Sequence, residues 1–104
     1  MAEEAIADVD QLEEGEPFRV ELAGTPICVV LLGPDEACAV QDTCTHQGQS
    51  LAEGHVTEDD EIVCPAHAST FDLHTGEARG IPAVEPVATF PCTVHDGAVW
   101  VDAG

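Results

Sequence analysis

The sequence predicts an all-β domain, and three observations carry that expectation. Turn-forming residues recur every eight to twelve positions, and the short stretches between them are apolar or alternate apolar with polar. Nine glycines and seven prolines leave no window for a sustained 3.6-residue periodicity. At 104 residues the chain has room for one compact domain, 1–104, of the β-sandwich or barrel kind.

Taken in order, Asp8 to Glu14 fits a single helical turn. Phe18-Arg19-Val20-Glu21-Leu22 alternates, which suits a strand with one buried face. Ala23-Gly24-Thr25 reads as a tight reversal into a buried strand, Ile27 to Leu32, and Gly33-Pro34-Asp35 turns the chain into Ala37 to Val40. His55-Val56-Thr57 and Glu61-Ile62-Val63 flank a turn at Asp59-Asp60. Asp96-Gly97, between Cys92-Thr93-Val94 and Ala98-Val99-Trp100-Val101, is the strongest hairpin signal, because glycine accepts the positive φ such a turn demands.

The charge balance narrows the function. Twenty-one Asp and Glu face two Lys and Arg, a formal −19. Phosphate binding needs cations to displace counterions, so nucleic acid and anionic membrane are poor partners. The longest apolar run, Ile27 to Leu32, has six residues against the ~20 of a spanning helix. The first residues, Met1-Ala2-Glu3-Glu4, lack the basic and apolar stretches of a secretory signal. A soluble, cytoplasmic monomer is expected.

Five cysteines, at 28, 38, 44, 64 and 92, cannot all pair, and a reducing cytoplasm disfavours pairing. Cys28, Cys38 and Cys92 sit in strand-like contexts with no histidine within two positions, and read as core residues. Cys44 and Cys64 differ. They open Cys44-Thr45-His46-Gln47-Gly48-Gln49-Ser50-Leu51 and Cys64-Pro65-Ala66-His67-Ala68-Ser69-Thr70-Phe71-Asp72, each with one thiolate and one imidazole after a strand. Seventeen residues separate His46 from Cys64, enough for a hairpin that returns the second loop beside the first. Two Cys and two His can hold a tetrahedral Zn²⁺ or one [2Fe–2S] cluster. Zinc fingers usually group like ligands, Cys with Cys and His with His. Here each loop mixes them, which suits two irons with thiolates on one and imidazoles on the other. His55, His74 and His95 are scattered and read as structural.

The pattern Cys-x-His, seventeen residues, Cys-x-x-His, with Gly48 and Pro65, strongly resembles the Rieske iron–sulfur proteins. Phe71-Asp72, Thr75-Gly76 and Ile81-Pro82-Ala83 ahead of a final hairpin extend the resemblance over roughly the whole chain, towards the small Rieske ferredoxins. The resemblance implies a Rieske-like β-sandwich or barrel base with a two-loop cluster-binding subdomain inserted at about 43–83. It implies one [2Fe–2S] cluster, with Cys44 and Cys64 on the inner iron and His46 and His67 on the outer. Gly48, Leu51, Ser69 and Pro82 would surround it. Rieske subunits of respiratory bc complexes carry a further, disulfide-forming cysteine in each loop. Gln49 and Ala66 stand at those positions here. The resemblance therefore points to the soluble bacterial ferredoxins of ring-hydroxylating dioxygenases.

Such a carrier has no substrate pocket and is not itself an enzyme. It would take electrons from a flavin-dependent, NAD(P)H-oxidising reductase and hand them to a terminal oxygenase acting on an aromatic substrate, docking both at the His46/His67 tip. The rivals are a small Rieske-like subunit of an assimilatory nitrite reductase and a structural zinc module. Two neutral imidazoles in place of two thiolates make electron addition easier, so Rieske potentials run from roughly −150 to +300 mV rather than near −400 mV. High-potential relatives place a serine and a tyrosine two and four residues after the second ligand histidine. Ser69 and Phe71 stand there, so a low or intermediate potential is expected, with Ser69 donating to a bridging sulfide.

Overall fold

An unbroken apolar strand needs cover on both faces, and that requirement organises the fold. Ile27, Cys28, Val29, Val30 and Leu31 are each at most 3% exposed, and the pleat sends them alternately to two cores. Ile27, Val29 and Leu31 pack with Ala37, Ala39, Val99 and Val101. Cys28 and Val30 pack on the opposite face with Cys38, Val40, Cys44, Leu51, Ile62, Cys64, Phe71, Leu73 and Val87.

A computed structural model of the protein describes residues 3–44, 50–65, 69–79 and 85–102. In chain order the strands are β1 (Glu3–Asp8), β2 (Pro17–Leu22), β3 (Thr25–Gly33), β4 (Glu36–Gln41), β5 (His55–Val56), β6 (Glu61–Val63), β7 (Thr70–Asp72), β8 (Thr89–Phe90), β9 (Cys92–His95) and β10 (Ala98–Asp102). They form three sheets in the orders β1-β10-β9, β2-β3-β4-β8 and β5-β6-β7, with every strand pair antiparallel. The all-β expectation holds. The β5-β6-β7 sheet lies between β4 and β8 in the chain, so a small sheet is inserted into the connection of a larger one.

The turns fall where the sequence places them. Ala23 and Gly24 have φ of 51° and 80°, and Asp96 and Gly97 have 55° and 73°. Two-residue hairpins with both φ positive match the right-handed twist of their strands. At the β5–β6 turn Asp60 also has a positive φ, and the Thr57 hydroxyl accepts from the amides of Asp59 and Glu61 at 3.2 and 3.3 Å. Thr57 thus serves the turn rather than extending β5. The helical turn expected within Asp8 to Glu14 is a 3₁₀ turn, Val9–Gln11.

β1 is an addition to the sequence reading. Glu3–Asp8 contains one large apolar residue, Ile6, and pairs with β10 from Glu3↔Asp102 to Asp8↔Ala98. Its strand state comes from the backbone edge that β10 offers, which no local pattern announces.

Candidate metal centre

Cys44 follows β4, and the bridge Thr43↔Ser50 closes the base of the loop that starts there. Cys64 follows β6, and its amide donates to the Ser69 carbonyl at 2.7 Å, closing the second loop. Each thiol is 1% exposed, and both belong to one cluster with Leu51, Ile62, Phe71 and Leu73, none of which is more than 1% exposed. The chain therefore brings Cys44 and Cys64 into the same apolar core. Pro65, beside Cys64, is exposed.

His46, Gly48, His67 and Pro82 lie outside the described residues, as do Gln47, Gln49, Ala66 and Ala68. Among the described residues no three ligating side chains converge to hold a metal, and Cys44 and Cys64 are the two described members of the ligand set that the sequence motif predicts. The second loop continues into β7, where the amide of Arg79 donates to the Thr70 carbonyl at 2.6 Å and Phe71 bridges Ala78. Asp72 ties the next turn down: its Oδ1 accepts from the amides of His74 and Thr75 at 2.7 and 3.1 Å, and its Oδ2 accepts from Arg79 at 2.9 Å. Burial pushes this carboxyl up, but those two amides and the guanidinium outweigh it and hold the group below its ordinary 3.8.

Ser69 is fully buried, and its Oγ has no hydrogen-bond partner among the described residues. A buried hydroxyl with nothing to donate to is costly, so an acceptor belongs at this position. A [2Fe–2S] core supplies sulfide acceptors, and the two buried thiols supply soft ligands that suit iron. The described residues fit such a group.

Sequence reasoning missed Asp42. This aspartate is 2% exposed. Its Oδ2 accepts from Ser50 Oγ at 2.6 Å and from Arg19 Nε at 3.1 Å, and its Oδ1 accepts from the Ala52 amide at 2.9 Å. Arg19 also reaches Glu21 at 3.1 Å. An acid at the end of an apolar strand, in a chain with two basic residues, was the available signal. Its partner Arg19 lies 23 positions away, so proximity in sequence could not reveal it.

The other cysteines behave largely as core residues. Burial, with help from Asp42, pushes the Cys28 thiol up to about 12. Burial, with Glu36, Asp60 and Asp72 nearby, pushes Cys38 to about 11. Burial, with Cys38 and Glu3, pushes Cys92 to about 12, although Cys92 is only half-buried. A histidine does approach Cys38 in space: His74 Nδ1 lies 3.7 Å from its sulfur, and His74 Nε2 lies 3.3 Å from Asp60 Oδ2. His95 stacks on Trp100, with centroids 4.8 Å apart.

Residues 3–91 match the Rieske [2Fe–2S] domain. The 3-phenylpropionate/cinnamic acid dioxygenase ferredoxin subunit of Escherichia coli K12 is 35% identical over 97 residues, which is 93% of this chain and 87% of that protein. The ferredoxin of carbazole 1,9a-dioxygenase from Nocardioides aromaticivorans IC177 superposes with a TM-score of 0.95 at 30% identity, covering 100% of both chains. A chain in the complex of reduced oxygenase and oxidized ferredoxin of carbazole 1,9a-dioxygenase superposes with a TM-score of 0.87 at 32% identity, covering 95% of this chain and 91% of that one.

Proposed function

This chain belongs to the Rieske [2Fe–2S] domain family, and from that premise we propose that it is the one-electron carrier of a multicomponent dioxygenase, with Cys44, His46, Cys64 and His67 as the cluster ligands. It is an electron-transfer component and not a catalyst by itself. The observation that carries this reading is the burial of Cys44 and Cys64 in one apolar core beside the orphaned hydroxyl of Ser69. When bound, the [2Fe–2S] group accepts and releases one electron.

The chain's own residues do the rest. Leu51, Ile62 and Phe71 keep water from the two sulfurs, and Ser69 offers a hydrogen bond that favours the reduced charge state. Cys44 and Cys64 would hold one iron of the group, and His46 and His67 the other. Gly48 and Pro82 complete the surround. Residues 43–83 act as the cluster-binding subdomain of a single domain, 1–104. The small uncharged residues beside the exposed Pro65 suit brief docking of a partner.

The partners are a terminal oxygenase and a flavin-dependent, NAD(P)H-oxidising reductase, both meeting the His46/His67 tip of a monomer in the cytoplasm. A ferredoxin with this fold in complex with an oxygenase supports the first. The aromatic acids named for the relatives support an aromatic substrate for the oxygenase. The formal charge of −19 supports basic partner surfaces.

Analysis of the purified protein for iron, acid-labile sulfide and an electron paramagnetic resonance signal on reduction tests this directly. The expected result is a red-brown protein with two irons and two sulfides per chain and a Rieske-type signal. Colourless protein holding zinc without sulfide overturns it. Restored NAD(P)H-driven oxygenase turnover with a candidate reductase and oxygenase completes the test.

A further inference from the structure

The geometry points to Asp42 as a positioning residue for the first ligand loop, an inference that rests on the [2Fe–2S] reading above. Every polar atom of Asp42 is in use. Its amide donates to the Pro26 carbonyl at 3.1 Å and its carbonyl accepts from the Leu51 amide at 2.6 Å. Its carboxylate accepts from Arg19 Nε, Ser50 Oγ and the Ala52 amide. One residue, two positions before Cys44, thereby fixes the segment where the loop returns, Ser50 to Ala52, and ties it to β2 and to the start of β3.

Backbone pairing among the described residues closes the base of the loop as well. One bridge, Thr43↔Ser50, joins its two ends within the ladder. The Asp42 carboxylate adds the side-chain half of that closure, and Leu51, fully buried against Cys44, is carried into place between the two bonded residues Ser50 and Ala52. Asp42 is itself held: its side chain is 3% exposed, while Arg19, at 48%, brings a compensating charge from the surface. A buried carboxylate with three donors and a counter-ion is rigid, and a rigid post is what a loop bearing two ligands requires. Outer partners of metal ligands typically change metal retention by roughly 10–100-fold when removed.

The test compares the holoprotein with Asp42→Ala, Asp42→Asn and Ser50→Ala. Each is measured for iron release to a chelator, for the resonance signal on reduction and for melting temperature, with Val99→Ala in the opposite core as the control. Asp42→Ala is expected to release iron roughly 10–100-fold faster, with a broadened signal. Asp42→Asn should recover part of the loss because its amide oxygen still accepts from Ala52. Val99→Ala should lower the melting temperature without altering the signal. Should Asp42→Ala fail to fold, Asp42→Asn and Ser50→Ala carry the comparison. Release rates and signals in those two that match the wild type overturn the role of Asp42, as does an equal change in Val99→Ala. Wild-type protein without iron and sulfide overturns the cluster reading first and the inference with it.

Discussion

The amide of Cys64 donates to the carbonyl of Ser69 at 2.7 Å, so the second loop is cinched between a buried thiol and a buried hydroxyl. The bond fixes the backbone of Ser69 and leaves its Oγ to find an acceptor, which none of the described residues supplies. Ser69→Ala should therefore lower the midpoint potential. A hydrogen bond to a charged group contributes ~1.5–3 kcal/mol, and for one electron this corresponds to a drop of about 60–130 mV. Protein-film voltammetry measures it, and an unchanged midpoint reduces Ser69 to a turn residue.

Gly54 links the 3₁₀ turn Leu51–Glu53 to β5. A Cβ there collides with the backbone carbonyl of Val63, the residue before Cys64. Gly54→Ala must push the two strands apart and should cost about 1–3 kcal/mol. Gly33→Ala meets nothing within 4 Å and should stay within about 0.5 kcal/mol of the wild type. Denaturant unfolding of both variants decides, and equal midpoints would show that the approach of Gly54 to Val63 relaxes freely.

The raised thiols predict the alkaline limb of stability. Cys28, Cys38 and Cys92 stay protonated in the fold up to about 12, 11 and 12 against an ordinary value of 9.0. Unfolded chains lose these protons first, so the native state binds more protons above that value. The share of stability that these three thiols contribute should be constant below pH 9.0 and fall as pH rises through the window up to about 12. Urea midpoints across this range measure the decline. Replacing Cys28 by Ala should flatten its slope, whatever the packing cost of the change.

Acidity makes encounter with a basic partner dependent on salt. The Debye length shrinks from ~30 Å at 0.01 M to ~8 Å at 0.15 M ionic strength, so the second-order rate of electron delivery should fall steeply over that range. Stopped-flow reduction by the proposed flavin-dependent reductase at several salt concentrations gives the slope. A flat profile assigns the negative charge to solubility alone.

What was legible in the sequence was local. Ala23-Gly24 and Asp96-Gly97 declared their turns because few residues tolerate their backbone angles. The run from Ile27 declared a doubly covered strand because no other position suits so many adjacent apolar side chains. The loop motifs singled out Cys44 and Cys64 as ligands by their histidine neighbours, and the structure adds that both thiols lie in one core. What escaped depended on contacts between distant positions. β1 owes its state to β10, buried Asp42 meets its counter-ion Arg19 across 23 positions, and His74 meets Cys38 across 36. Cys92 is only half-buried because it lies on β9, an edge strand whose one ladder neighbour is β10.

The pairing of β1 with β10 has a bearing on synthesis. The described contacts that frame Cys44 and Cys64 join residues between Pro17 and Phe90, whereas the first strand has no ladder partner until Ala98 to Asp102 have been made. As the polypeptide leaves the ribosome, the outermost sheet is thus the last to zip. The wall over the core of Ile27, Val29 and Leu31 is thus sealed by the strand pairing with the widest separation in sequence.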